Sequence, residues 1–488
     1  MSDALQLTAD QGPRSTDPHE PSELTDPLDI EAFRRNGYAL IDWVSDYYSR
    51  LASLPVYEPV EPGAVRAQLP EQAPEHPEAF DTVLEDVDQV IVPSLAHWQH
   101  PGWLAYFPAA SSPAAVLGEL TAAAFSAEAM MWSTSPAATE VESLVVDWLV
   151  DLLDLPREWK TTGRGGGVML SGASSATHTA LVVARDQCRK RTGVPIEKMV
   201  AYASDQAHSS IEKGARVAGY EHIRLLDTDE AFAARPATLA AAVASDRQAG
   251  LEPAFVCSAL GTTGTTGVDP VRALGEIARS TEMWHHVDAA YAGSAMICEE
   301  FRHFQDGLEL VDSYTFNPHK WLATNVGCSV MWVADRRPLI DTLSVLPPYL
   351  RNEASASGAV IDYRDWSLPL SRPFRSLKLW FVLRSFGAQG LRTMIRSHVA
   401  WGQSLAAKIE RHPRLDLIGR APFAMVPFAH RDGNSATDAL IDTINSDGRF
   451  YVTGSEVDGR RYVRVAVGSI WTTGDHVEAL WKLIQANA

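Results

Sequence analysis

The stretch FVCSALGTTGTTGVDPVRALGEIARSTEMWHHVDAAY, residues 255–291, contains a strand pattern, a helix pattern and a second strand pattern in succession. Further strand patterns of the surrounding region, from about Gly165 to Asp335, lie at 167–170, 199–204, 222–228 and 328–335. Strands that alternate with helices predict an α/β fold, in which a largely parallel sheet has helices on both faces. Such sheets bind their ligands at the carboxyl ends of the strands.

Length and composition limit the classes of protein to consider. A chain of 488 residues exceeds what one core usually organises, so two or three domains are expected. The net charge of −19 argues against binding to nucleic acid or to anionic membranes. No apolar run of about 18 residues is present, and the N-terminus lacks the basic and apolar blocks of a secretion signal. Four cysteines without a CxxC pair indicate neither a zinc site nor a disulfide framework, which favours a cytoplasmic protein without a metal.

Four regions follow one another along the chain. Residues 1–27 are polar and rich in Pro, Asp and Glu, which predicts a disordered tail. Residues 28–100 contain an aromatic helical stripe, with Asp29 as its cap, and then many prolines, so this segment is expected to wrap around another body such as a partner subunit. Residues 101–370 form the large sheet domain. Residues 371–488 read as a long helix followed by a smaller α+β domain with a hairpin turn at Asp458-Gly459.

Lys320, in the run SYTFNPHKWL at 313–322, is the first candidate for chemistry. It lies between an aromatic strand-like run and Trp321-Leu322, so apolar surface is expected to surround its ammonium group. Partial desolvation lowers the pKa of a lysine and makes the amine nucleophilic enough to form an imine with a carbonyl. The alternative is a lysine whose stem lies on the protein while its head reaches water.

Three further features point to an anionic, flat ligand. Ser171 to Thr177 joins a strand to a helix with small residues that let backbone amides approach a phosphate, although a well-capped helix would look the same. Asp288 ends an apolar strand and could pair with a protonated pyridine nitrogen, or with an Arg or His. His208 could stack on a flat ring, or be a cap or a buried histidine. Together with an imine-forming lysine, these groups are what pyridoxal phosphate requires.

The resemblance to a known family rests on six runs: AYFPAASS, SPAATEVE, SDQAHSS, HVDAAYAGSA, FNPHKWL and PFRSLKLWFVLR. In these runs the chain resembles the group II pyridoxal-phosphate decarboxylases, in particular the aromatic L-amino acid decarboxylases, from about Phe33 to near the C-terminus. The resemblance implies the fold-type I architecture of pyridoxal-phosphate enzymes. It also implies a homodimer with its sites at the interface, in which residues 28–100 pack on the partner subunit.

The resemblance also implies the role of individual residues. Lys320 would hold the cofactor as an imine and Asp288 would pair with its ring nitrogen, while His208 and Ala290 would cover the two faces of the ring. The residues that would hold the phosphate are Ala173, Ser174, Asn317 and His319, and Thr263 would lie close by. The residues implied for the substrate pocket are Tyr106, Phe107, Pro108, Ala109, Met130 and Ser371. Met130 would come from the partner subunit, as would Glu128. Two positions depart from the family, since Ala109 replaces a frequent Thr and Glu128 an apolar residue.

The reaction implied is the loss of the substrate carboxylate as CO2, followed by protonation of Cα to give an amine. Tyr349 matches the loop tyrosine that donates this proton, whereas without the resemblance it would be taken for a surface tyrosine. Relatives with phenylalanine there tend to be aldehyde-forming oxidases. Serine at position 371 favours tyrosine or a DOPA-like amino acid, and leaves tryptophan, phenylalanine and histidine open.

Four other functions remain open at this point. A histidine decarboxylase would differ only in its substrate. An aldehyde synthase would release ammonia and hydrogen peroxide. A transaminase would pass the amino group to a keto acid, but no dedicated arginine signature for it is visible. A cofactor-binding regulatory protein would show no turnover at all.

Overall fold

The computed structural model describes residues 29–345, 353–356 and 359–488. The chain divides into two compact units, Met1–Ala96 and His97–Ala488. The expected tail at 1–27 and Tyr349 lie outside the described residues. None of the helices that are described is long and apolar enough to span a bilayer.

The first unit contains helices α1 (Ile30–Arg50) and α2 (Phe80–Asp86). The Asp29 carboxylate accepts hydrogen bonds from the N–H groups of Glu31 at 2.9 Å and Ala32 at 3.1 Å, so the predicted N-cap is confirmed. The side chain of Phe33 is 68% exposed. An aromatic helix face that remains in water is a surface available for a partner.

A seven-stranded sheet forms the centre of the second unit. Its strands are β1 (Gly166–Leu170), β2 (Met199–Ser204), β3 (His222–Leu226), β4 (Glu252–Ala259), β5 (Trp284–Asp288), β6 (Ser313–Phe316) and β7 (Ser329–Val333). Their order is β1-β7-β6-β5-β4-β2-β3. Strand β7 is antiparallel to both neighbours and the other pairs are parallel, so the expected mostly parallel sheet is confirmed.

Helices lie on both faces of this sheet. The helices of this part of the chain are α3 (Pro113–Phe125), α4 (Pro136–Leu152), α5 (Ala173–Thr192), α6 (Ser210–Ala218), α7 (Pro236–Gln248), α8 (Val271–Thr281), α9 (Pro318–Trp321), α10 (Arg336–Leu343), α11 (Glu353–Ala356) and α12 (Ser376–Arg411). Successive residues of β2 show the two faces. Ala201 packs with residues of α5 and α6, whereas Tyr202 packs with residues of α7 and α8. This alternation follows from the two-residue period of a strand.

A smaller antiparallel sheet follows near the C-terminus. Its elements are β8 (Leu415–Leu417), β9 (Met425–His430), α13 (Asn434–Ser446), β10 (Thr453–Val457), β11 (Arg460–Ala466) and α14 (Gly474–Asn487). The strand order is β10-β11-β9-β8. Asp458 and Gly459 join β10 to β11 with φ of 50° and 73°, so the predicted hairpin turn is confirmed.

Two of the differences from the sequence prediction have a local physical reason. The strand expected to reach Tyr291 ends at Asp288, because the Asp288 carboxylate accepts the N–H of Ala290 at 2.9 Å and turns the chain. The single long helix expected after residue 372 is interrupted inside α12 at Gly387, where φ is 62° and ψ is 167°. Glycine adopts this conformation without the clash of a Cβ atom.

A buried ion pair closes the free edge of β1, which stands at one end of the strand order, next to β7. The Glu142 carboxylate accepts the Met169 N–H at 2.8 Å, and Arg372 donates to the Met169 carbonyl at 2.9 Å. Glu142 and Arg372 lie 2.6 Å apart, and their side chains are 1% and 2% exposed. The pair therefore supplies the partners that a neighbouring strand would otherwise give to Met169.

Replacing Glu142→Leu is expected to lower the free energy of unfolding by about 3–5 kcal/mol, because Arg372 would remain charged and buried without a carboxylate. Urea unfolding measures the change. The matched control is Glu300→Gln, which breaks a 2.7 Å pair with Arg396 whose side chains are both 45% exposed. The control should lose less than about 1 kcal/mol. Equal losses in the two variants would contradict a supporting role for the buried pair.

Candidate active site

A cavity of about 270 Å³ lies where β1, β4, β5 and β6 end. The carboxyl ends of parallel strands meet at one edge of a sheet, which explains why distant parts of the sequence converge here. Nine residues with a predicted cofactor role line this cavity: Ala173, Ser174, His208, Thr263, Asp288, Ala290, Asn317, His319 and Lys320. The structure thus brings the whole predicted set together, whereas their individual roles stay predictions.

A second cavity is larger, at about 850 Å³, but its lining contains no lysine and does not include Asp288. Its lining includes Asp229, Arg235 and Phe304. Volume alone therefore does not identify the reactive site, and the chemistry of the lining does. Within the described ranges, no group of three or more His, Cys, Asp or Glu could hold a metal ion.

Lys320 lies on the short helix α9, four residues after the end of β6. Its Nζ is 5.0 Å from the centroid of the Phe107 ring, and the next residue, Trp321, is fully buried. Burial lowers the pKa of Lys320, nearby Asp288 opposes this shift, and Arg464 adds to it. An amine with a lowered pKa is unprotonated more often and attacks a carbonyl more readily.

His208 has a defined proton position. Its Nδ1 accepts the backbone N–H of Ser210 at 3.1 Å and lies 2.8 Å from the Ser210 hydroxyl. Burial lowers the pKa of His208, which favours the neutral imidazole, and because Nδ1 accepts the Ser210 N–H the neutral ring carries its proton on Nε2. The ring therefore offers a hydrogen-bond donor at Nε2. Ser210 was not singled out from the sequence, since the repeated serines of SDQAHSS carry no sign of which one contacts the imidazole.

The N-terminus of α5 is open towards the cavity. No side chain caps this helix, and in the described part of the chain the N–H groups of Ala173 and Ser174 have no acceptor. His319 on α9 and Asn317, just before this helix, also line this cavity. Among the described residues, the buried Oδ1 of Asn317 has no hydrogen-bond partner, and burial lowers the pKa of His319 to about 4. An uncapped helix N-terminus binds a phosphate well, so the free N–H groups of Ala173 and Ser174 fit pyridoxal phosphate.

An aromatic wall stands next to Lys320. Phe107 stacks on Tyr291 with ring centroids 4.1 Å apart, and Tyr291 stacks on Trp321 at 4.8 Å. Phe107 and Pro108 are buried, Ala109 is half-buried, and Tyr106 is 51% exposed. Tyr106 has a φ of 53°, which tyrosine rarely adopts. The wall places apolar surface beside the reactive amine.

None of the six residues predicted for the substrate pocket lines the cavity that contains Lys320. Of these six, Phe107 contacts Lys320 from the aromatic wall, whereas no contact with Lys320 is found for Met130 or Ser371 among the described residues. They belong to two segments that pair with each other. The Ala129 N–H donates to the Arg372 carbonyl at 2.7 Å, and Glu128 forms an isolated bridge with Pro373. The Glu128 carboxylate also accepts the Arg372 N–H. The structure thus brings these two predicted pocket residues into one segment pair, and neither of them lines the cavity of their own chain.

Comparison with known proteins gives a consistent result. Residues 62–431 match the model of the pyridoxal-dependent decarboxylase conserved domain. A tyrosine decarboxylase of Narcissus pseudonarcissus is 42% identical over 95% of each chain. A phenylacetaldehyde synthase of Arabidopsis thaliana is 42% identical over 95% of this chain and 97% of its own. The crystal structure of Oryza sativa TDC with PLP and tryptamine has a TM-score of 0.93 and 38% identity, over 95% of this chain and 99% of that one.

These matches confirm the family, the fold class and the pyridoxal cofactor that the sequence led us to expect. The family model alone covers about three quarters of the chain. The chain therefore belongs to the pyridoxal-dependent decarboxylases.

Proposed function

We propose that the protein removes the carboxylate of an aromatic L-amino acid as CO2 and releases the amine, with tyrosine or DOPA favoured. The observation that carries this proposal is one cavity in which a desolvated Lys320, Asp288 and the open N-terminus of α5 meet beside the Phe107 ring. The extended similarity to a tyrosine decarboxylase supports it. Histidine stays an alternative that a panel of L-amino acids, scored for amine, would test.

Each group of the site would have a separate task. Pyridoxal phosphate, when bound, withdraws electrons from the substrate Cα and so lets the bond to the carboxylate break. Lys320 would hold the cofactor covalently, and the N–H groups of Ala173 and Ser174 would bind its phosphate. Asp288 would hold a proton at the ring nitrogen, and His208 would lie against the ring with Nε2–H as donor. Phe107 would exclude water from the reacting carbon.

We further propose that the active form is a homodimer in the cytoplasm. Met130 and Ser371 would complete the pocket of the partner subunit, which agrees with their position away from their own cavity. The exposed apolar side chains Ile30, Phe33 and Tyr38 on α1 offer a surface for such a partner. The four cysteines are free thiols, as is usual in a reducing compartment.

Replacing Lys320→Ala is expected to abolish both the absorption of covalently bound cofactor and the release of CO2, because no other amine lines the cavity among the described residues. Spectroscopy of protein supplied with pyridoxal phosphate measures the first, and trapping of CO2 the second. Lys213→Ala, an exposed lysine on α6, is the matched control and should resemble the wild type. An unchanged spectrum for Lys320→Ala would contradict the proposed role.

Tyr349→Phe is expected to lose most amine product and to gain aldehyde with hydrogen peroxide, because the proposed proton donor to Cα would be missing. Amine, aldehyde and peroxide are measured in the same reaction. Because the chain is also similar to a phenylacetaldehyde synthase, an aldehyde is the alternative product to look for in the wild type. Tyr220→Phe is the control, because this tyrosine does not line the cavity and its hydroxyl donates to the Leu181 carbonyl at 3.1 Å. Undiminished amine output from Tyr349→Phe would refute the assignment.

Ser371→Gly is expected to shift the ratio of kcat/KM from tyrosine towards tryptophan by about tenfold, because a larger ring system gains room. The comparison variant is Ser371→Ala, which removes the hydroxyl but leaves most of the volume. If Ala shifts the ratio as far as Gly does, the hydroxyl and not the space is decisive. A ratio that changes in neither variant would remove Ser371 from the substrate pocket.

A further inference from the structure

His398 is a buried histidine to which the proposed reaction gives no task. It lies on α12 with 2% of its surface exposed, and it lines neither the 270 Å³ nor the 850 Å³ cavity. Its Nδ1 accepts the indole N–H of Trp321 at 2.9 Å, and the ring also forms a hydrogen bond with the backbone of Ser469. Burial lowers the pKa of His398 to about 4, which favours the neutral imidazole. Because Nδ1 is an acceptor, the neutral ring carries its proton on Nε2, the nitrogen left for Ser469.

Trp321 links this histidine to the reactive amine. The tryptophan directly follows Lys320 on the short helix α9. Its ring packs on Tyr291 with centroids 4.8 Å apart, and Tyr291 packs on Phe107 at 4.1 Å. The Nζ of Lys320 lies 5.0 Å from the centroid of Phe107. The position of the indole ring is therefore coupled to the surroundings of the amine at both ends of the stack.

The hydrogen bond acts close to the plane of the indole ring. The centroids of the His398 and Trp321 rings are 6.4 Å apart and their planes are inclined by only 12°, so the two rings lie edge to edge. Stacked rings attract one another without fixing how far one ring slides over the next. A hydrogen bond has a preferred length and direction, and it therefore restricts this remaining freedom. In the described part of the chain His398 is the only acceptor for the Trp321 N–H, so a displaced ring would leave a buried donor unpaired.

We propose that His398 is a positioning residue for Lys320: its hydrogen bond to the Trp321 indole fixes the ring stack that keeps water away from the amine. The inference rests on the proposed function, in which this amine holds the cofactor. His398 acts through Trp321, because it lines neither cavity itself. The backbone beside Ser469 confines the same ring, since a Cβ atom at Gly468 would lie 3.2 Å from the Cδ1 of Trp321.

Access of water to the amine is what loss of this hydrogen bond would change. Burial lowers the pKa of Lys320, because the ammonium form is poorly solvated among the rings. A loosened stack admits water to Nζ, and the pKa then rises towards that of a solvated lysine. At any pH below the pKa, a rise of one unit lowers the unprotonated fraction of the amine about tenfold. At a pH above the pKa the amine is unprotonated in both proteins, and the difference disappears.

The other groups that affect the charge of Lys320 are unchanged by a substitution at position 398. They are Asp288, Arg464, His208 and His319. The pKa of His398 itself depends on burial and on the Ser469 backbone. A substitution of this histidine therefore alters the packing around the amine without removing a charge from the site.

The test uses two variants that each keep one of the two hydrogen bonds. In His398→Asn the side-chain oxygen takes the place of Nδ1 and accepts the Trp321 N–H, but nothing reaches Ser469. In His398→Gln the amide group takes the place of Nε2 and reaches Ser469, but no acceptor remains for Trp321. Each variant is prepared as the full-length chain freed of cofactor. The rate constant for covalent capture of pyridoxal phosphate is followed by absorption over a range of pH, and the melting temperature is recorded.

His398→Gln is expected to capture the cofactor about tenfold more slowly than the wild type at neutral pH and equally fast at high pH. His398→Asn should stay within about twofold of the wild type at every pH. The melting temperatures of the two variants should fall by similar amounts, because each loses one buried hydrogen bond. If His398→Gln does not fold, Trp321→Phe, which removes the N–H from the other side, must show the same pH-dependent slowing.

Two results would overturn the inference. Equal slowing in the Asn and Gln variants, or slowing that persists at high pH, would show that His398 only ties α12 to its neighbours. An unchanged capture rate in a folded His398→Gln protein would show that the stack needs no hydrogen bond. Failure of the proposed function is distinguishable, because the wild type would then release no CO2 from any aromatic amino acid, whereas the capture rates are measured without substrate.

Discussion

Desolvation of one amine is the constraint on which the site depends. The Lys320 ammonium lies against Phe107, and behind it the Tyr291 and Trp321 rings form a continuous stack. This stack leaves little room for water around Nζ, so the charged form of the lysine is disfavoured. Asp288 acts in the opposite direction and limits the shift. The Lys320 amine thus remains in a reactive form, and the Asp288 carboxylate stabilises its protonated form when it is charged.

The other charged and polar groups surround this amine in separate directions. An open helix N-terminus faces one part of the cavity, the Asp288 carboxylate ends the neighbouring strand, and Arg464 approaches across the Phe107 ring. A ligand with a phosphate and a protonated ring nitrogen would find one complementary group for each. Because these two groups lie on different elements, a bound ligand would be fixed in orientation as well as in place.

The sequence predicted the sheet and its ligand edge because these depend on local patterns. Alternating strand and helix repeats require no knowledge of tertiary contacts, and Asp458-Gly459 specifies its turn by backbone preference alone. The break at Gly387 was missed, since an isolated glycine within a helical pattern often has no effect. The contact between Ser210 and the His208 imidazole also escaped prediction, because it depends on which side chains meet in space.

The Glu142–Arg372 pair links the cofactor end of the sheet to the segment that contains Ser371. Glu142 and Arg372 hold Met169, two residues before the loop that leads into α5, and Arg372 itself follows Ser371. Arg372 also donates to the Ala129 carbonyl at 2.9 Å, next to Met130. A shift of this pair would therefore disturb the end of β1 together with the two paired segments that contain Met130 and Ser371.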